Sequence, residues 1–130
     1  MEAAVAKDVI LVVDDNEMNL KLLCWLLEKS GYEVHAATDA TTARAAIRAV
    51  RPQLVLMDIQ LPDIDGLQLT REFKADPELR HIPVVAVTSY AMKGDRERSM
   101  SAGCDGYLTK PIDTSQFPGE IRKFLRRPAD

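Results

Sequence analysis

Short, unbroken apolar runs that each end in a polar residue constrain this chain most. Val9 to Val13 precede Asp14-Asp15, Leu54 to Met57 precede Asp58, and Ile82 to Val87 precede Thr88. A strand with one wet face alternates apolar and polar residues, whereas a continuous run fits a strand buried on both faces of a parallel sheet. Two shorter runs, Glu33 to Ala37 and Gly106 to Leu108, read as further strands. Helical patterns lie between them: about Glu17 to Lys29, Ala40 to Val50, Leu67 to Ala75, Met92 to Ala102 and Ser115 to Arg126. Asn16 and Asp39 are placed to cap the first two helices, and Gly31, Pro52 and Gly103 to end connections. Strictly alternating strands and helices mean βαβ units with right-handed crossovers. The expected fold is α/β, a (βα)5 doubly wound sandwich around a five-stranded parallel sheet of order 2-1-3-4-5, flavodoxin-like.

At 130 residues the chain is expected to form one domain, with its core at about residues 8–126. A hydrophobic fraction of 46% supports a real core. The formal charge of -3 argues against a broad nucleic-acid surface. No apolar run has the length of a membrane span, and the acidic start Met1-Glu2 does not read as a signal peptide. Cys24 and Cys104 are far apart without metal spacing, which reads as two free thiols in a reducing, cytoplasmic setting. His35 and His81 stand isolated, with no acid at ligand spacing, and read as ordinary residues.

In open α/β sheets ligands bind beyond the carboxyl ends of the strands, at the switch in strand order. Asp14, Asp15, Asp58, Thr88 and Lys110 fall at those ends. Three converging carboxylates repel and raise one another's pKa values unless a cation sits among them. An oxygen-only donor set suits Mg²⁺. With the acids neutralised, one carboxylate oxygen could attack phosphorus, Lys110 could hold a phosphoryl oxygen and Thr88 could donate to another. The product would be an aspartyl phosphate. Taken singly, each residue reads more readily as a cap or a loop; the joint pattern at four strand ends is hard to obtain by capping alone.

The motifs Val12-Val13-Asp14-Asp15, Leu56-Met57-Asp58-Ile59-Gln60-Leu61-Pro62, Asp65-Gly66, Val87-Thr88-Ser89 and Tyr107-Leu108-Thr109-Lys110-Pro111 resemble those of response-regulator receiver domains of two-component signalling. The resemblance covers about Val9 to Leu125. The stretches Val13 to Leu23, Met57 to Pro62 and His81 to Asp95 are especially similar to stand-alone regulators of bacterial cell division, the DivK type. It implies that Asp58 is the phosphoacceptor, and that Mg²⁺ is held by Asp14, Asp15, Asp58 and the Gln60 main-chain carbonyl. Thr88 and Lys110 would bind the phosphoryl group, Lys110-Pro111 would be a cis peptide, and Thr88 with Tyr107 would form the switch. Gln60 and Tyr90 are expected to tune the phosphoaspartate lifetime. The implied partners are a histidine kinase or histidine phosphotransferase and a downstream protein reader. Nucleic acid and membrane insertion are not expected, and the chain would be a monomer or weak dimer. It would catalyse its own phosphorylation and slow dephosphorylation without being an enzyme in the usual sense.

Helix 1 carries two apolar stripes. Leu20, Leu23, Leu26 and Leu27 should face the sheet, while Met18, Leu22 and Trp25 rotate toward solvent as a docking surface for a histidine-bearing partner, or as a seat for the chain's own ends. Helix 4 is poor in apolar residues and contains Gly94, which would weaken it for a switching role. Pro118 predicts that the last helix starts late, which places dimerisation through helices 4 and 5 in question. The basic residues Arg122, Lys123, Arg126 and Arg127 read as a solvated face. Three rival functions remain open. One is a receiver cut from a hybrid kinase, against which Met1 argues. The second is a phosphatase of the haloacid dehalogenase type, which would want an Asp-x-Asp and a cap. The third is a binding module that is never phosphorylated.

Overall fold

The computed structural model describes residues 7–89 and 94–125. In chain order the elements are β1 Val9–Val13, α1 Glu17–Lys29, β2 Glu33–Ala37, α2 Ala40–Val50, β3 Leu54–Asp58, α3 Gly66–Ala75, β4 Val84–Thr88, α4 Asp95–Ser101, β5 Gly106–Thr109 and α5 Phe117–Leu125. All four strand pairings are parallel, and the sheet order is β2-β1-β3-β4-β5, as the sequence predicts.

Strand periodicity divides the core in two. Leu11, Val13, Val55, Met57, Val84 and Ala86 face α2 and α3, where they meet Ala43, Ile47, Leu69 and Phe73. Ile10, Val12, Leu54, Leu56, Val85 and Val87 point the other way, into Leu20, Leu23, Leu27, Phe117 and Ile121 of α1 and α5. The three central strands are therefore buried on both sides, which is why their runs are unbroken. β2 lies at an edge, and its more polar Glu33–Ala37 is correspondingly half exposed.

Helix ends follow the sequence closely. Asn16 Oδ1 accepts from the Asn19 N–H at 3.0 Å, and Asp39 forms a capping box with Thr42. Gly31 takes a φ of 97° just after α1. Two boundaries differ from expectation, and a third, the start of α5, falls late as Pro118 predicts. β4 begins at Val84, since Pro83 has no N–H to give the ladder and only its carbonyl serves Val55. Gly94 lies outside α4: it is the N-cap, with a φ of 92°, so its cost falls on the entry to the helix and not on its interior. The expected start of that helix at Met92 lies outside the described residues. α5 starts at Phe117 after a turn in which Asp113 Oδ1 accepts from Ser115, and Pro118 occupies the first turn, where a missing N–H is harmless. α4 is also less solvated than its composition promised, because Asp95 and Ser99 are buried.

Candidate functional site

β1, β3, β4 and β5 bring their polar C-terminal residues to one edge. Register places Val13 beside Met57, Asp58 beside Val87 and Thr88 beside Thr109, so Asp14, Asp58, Thr88 and Lys110 emerge on neighbouring strands. The carboxylates of Asp14, Asp15 and Asp58 offer oxygens that all lie within 4.8 Å of one another. Asp14 is 1% exposed and Asp58 6%, whereas Asp15 is open to solvent.

Each buried acid is held on both sides. Asp14 Oδ1 accepts from the Asn16 N–H at 2.8 Å, and its Oδ2 accepts from Lys110 Nζ at 2.9 Å. Asp58 Oδ1 accepts from the Gln60 N–H at 3.0 Å, while Lys110 Nζ stands 3.5 Å from its Oδ2. Lys110 itself is aimed by the backbone, since its N–H donates to the Thr88 carbonyl at 2.7 Å. The Lys110–Pro111 peptide is cis. Thr88 is buried at the floor of the same edge.

Burial pushes the Asp58 carboxyl up to about 6. The Gln60 N–H opposes that rise, Asp14 adds to it, and Lys110 counters it more weakly. A carboxylate that is costly to charge, beside a second buried acid, is the setting a cation relieves. The donors are hard oxygens from two strand ends, with one carboxylate open to water, so the residues fit Mg²⁺, which keeps several waters. Gly66 lets this corner close: a Cβ there would collide with the Asp58 carbonyl oxygen.

The other predicted residues are placed as follows. Tyr107, on β5 beside Ala86, is half-buried and packs against the α2–α3 side of the core; its hydroxyl is sealed from solvent without a hydrogen-bond partner among the described residues. Met18 is 76% exposed, Leu22 39% and Trp25 56%, so the second stripe of α1 does face solvent. The Lys29 ammonium sits 4.8 Å from the centre of the Trp25 ring. Gln60 is exposed at the rim. Tyr90, Arg126 and Arg127 lie outside the described residues. Both cysteines are free, and burial pushes the Cys104 thiol up to about 11.

The sequence reading missed two contacts. His35 is not isolated, because Glu33, two residues back on the same face of β2, meets its Nε2 at 2.7 Å. Strand period alone would have found that pair. Asp63 was not singled out from the sequence, yet its carboxylate accepts from the Ala40 and Thr41 N–H groups of α2. Nothing local signals that bond.

The sequence pattern of the response regulator receiver domain family matches residues 10–122, and the chain belongs to that family. It is a receiver domain of two-component signalling, a class of signalling module and not of conventional enzymes. Among named relatives it is similar to the polar-differentiation response regulator DivK. It is 48% identical to that of Brucella anthropi over 116 residues, covering 89% of this chain and 94% of the relative. The Brucella ovis protein is 47% identical over the same coverage. Among solved structures, a putative response regulator from Chloroflexus aurantiacus superposes with a TM-score of 0.89 at 26% identity, covering 94% of this chain and all of the other. The receiver domain of a sensor histidine kinase from Pseudomonas aeruginosa does so with a TM-score of 0.86 at 33% identity and the same coverage; that crystal structure holds a magnesium ion coordinated in the active-site cleft. No helix among the described residues is long and apolar enough to cross a membrane.

Proposed function

We propose that Asp58 accepts a phosphoryl group from a phosphohistidine on a histidine kinase or histidine phosphotransferase, and that the modified protein passes the signal on by contact with a downstream protein. The observation that carries this reading is the cluster of three carboxylates within 4.8 Å, two of them joined by the Lys110 ammonium.

Asp14, Asp15 and Asp58 would hold Mg²⁺ through their carboxylates and Gln60 through its main-chain carbonyl. When bound, the ion neutralises the acids and supplies positive charge for the phosphoryl oxygens. The chain's own residues do the rest. The Gln60 N–H fixes Asp58 Oδ1, leaving Oδ2 as the attacking atom. That oxygen bonds to phosphorus as the bond from phosphorus to the donor imidazole nitrogen breaks, and the nitrogen keeps the electron pair and takes up a proton. Lys110 lies between Asp14 and Asp58, within reach of a phosphoryl oxygen once its long contact to Asp58 lets go. Thr88 donates its hydroxyl to another. Catalysis here is positioning and charge stabilisation.

Thr88 and Tyr107 form the switch. The buried Tyr107 hydroxyl, which has no partner among the described residues, carries a desolvation cost of about 1–3 kcal/mol that a second position could relieve. The exposed Met18, Leu22 and Trp25 offer an apolar seat for the histidine-bearing partner, and Leu22 continues toward the site through a cleft of about 90 Å³ with Asn19, Lys110, Pro111 and Ile112. Gln60 and Tyr90 would tune the lifetime of the product. The protein works in the cytoplasm, where such kinases present their histidines.

Incubation with a phosphorylated histidine phosphotransferase tests the reading. One phosphoryl group per chain, blocked by Asp58→Asn, supports it. Repeated turnover of a small phosphate ester would instead support a phosphatase.

A further inference from the structure

The loop from Ile59 to Asp65 joins the reactive end of β3 to α3, and it carries the Gln60 carbonyl. Its base is closed. The Gly66 N–H donates to the Ile59 carbonyl at 2.6 Å, Gln60 and Asp65 form an isolated bridge, and Asp65 caps α3 through the Leu67 N–H at 2.8 Å. Pro62 has no N–H to contribute. The outward arm of the loop reaches α2 through Asp63, 23 residues away from its partner in sequence. Asp63 Oδ1 and Oδ2 accept from the Ala40 N–H at 3.0 and 3.1 Å, and Oδ2 also accepts from the Thr41 N–H at 3.3 Å.

The accounting at α2 explains why an acid belongs there. A helix leaves its first N–H groups without internal partners. Asp39 serves Thr42 through its side chain and Ala43 through its carbonyl. Ala40 and Thr41 remain, and Asp63 takes both. The positive end of the α2 dipole favours a carboxylate in that place, and these N–H groups hold the Asp63 carboxyl below its ordinary range. α2 is itself fixed to the core by buried Ala40, Ala43 and Ile47. The loop is therefore anchored by a charge-assisted clamp to a rigid element that takes no part in the chemistry.

We propose, resting on the metal site described above, that Asp63 is a positioning residue for Mg²⁺ binding: by clamping the loop onto the start of α2 it holds the Gln60 carbonyl where the ion needs it. Asp63 lies outside the cluster of carboxylates that could touch the ion, so its effect passes through the loop. Groups that orient a ligand from behind typically command about 10–100-fold in metal affinity. Asp63 stands one step further out, and its removal should cost roughly 3- to 10-fold.

The test is calorimetric titration with Mg²⁺ alone of the wild type, Asp63→Ala, Asp63→Asn and Asp39→Ala, with Tm measured for each. Asp39→Ala removes a cap from the same helix without touching the loop. Asp63→Ala should weaken Mg²⁺ binding by the stated factor, Asp63→Asn by less because an acceptor oxygen remains, and Asp39→Ala should lower Tm at wild-type affinity. Unchanged affinity in Asp63→Ala, or an equal loss in Asp39→Ala, would overturn the inference while leaving the metal site standing. Wild-type protein that takes up no Mg²⁺ would remove the metal site and this inference with it.

Discussion

Asp58 and Tyr107 each carry a cost that the fold tolerates, and each cost can be measured. The Asp58 carboxyl ionises near pH 6 in the metal-free protein, above its ordinary value of 3.8. Its folded form therefore binds a proton more tightly than its unfolded form, so its contribution to stability falls as pH rises from about 4 to 6. Asp63, Asp76 and Asp113 have lowered values and act in the opposite sense, gaining stability as pH rises through their own ranges. The difference between wild type and Asp58→Asn isolates the first effect. In magnesium-free buffer at pH 7, Asp58→Asn should be more stable by about 1 kcal/mol after allowance for solvent screening, and the gain should vanish near pH 4. Denaturant titrations across that range check it. Tyr107→Phe removes a buried hydroxyl that has no partner among the described residues, and it should raise stability by about 1 kcal/mol, read as a higher denaturation midpoint at unchanged m.

At the scale of elements, α1 divides its apolar residues by face. Leu20, Leu23, Leu26 and Leu27 are buried, while Met18, Leu22 and Trp25 remain outside with a cation over the indole. Trp25→Ala should leave Tm close to wild type and slow phosphoryl transfer from a protein donor, while labelling by a small phosphodonor stays intact. Equal loss from both donors would point to misfolding. α2 is the structural counterpart. Ile47 is fully buried, and Ile47→Ala should cost about 2–5 kcal/mol in chemical denaturation. What was legible at this scale follows from periodicity and caps. The runs of β1 and β3, the caps Asn16 and Asp39, and the two stripes of α1 could be read because each is a local pattern. The start of β4 was misjudged because Pro83 looks apolar yet cannot join the ladder, and Gly94 was placed in a helix that it only introduces. The Asp63 clamp was invisible, since its partners lie on an element whose position depends on the finished sheet.

For the whole molecule, topology converts sequence distance into chemistry. Lys110 and Asp14 are 96 positions apart and 2.9 Å apart in space because β1 and β5 lie in one parallel sheet whose strand ends share an edge. This placement was predictable from the alternation of strands and helices alone. The finer state of the edge was not: only the folded structure shows Lys110 bridging two acids, Asp15 open to water and Asp58 hard to ionise. Together these features describe an edge where three carboxylates share one ammonium, a shortage of positive charge that a divalent cation would relieve.

Mapping the covalent product tests that description most directly. The protein is treated with a small phosphodonor with and without Mg²⁺, the acyl phosphate is trapped by borohydride reduction, and the modified residue is located by peptide mass spectrometry. A single modification at Asp58 that depends on Mg²⁺ is the predicted result. Modification at Asp14 or Asp15, or equal modification without the ion, would contradict the account.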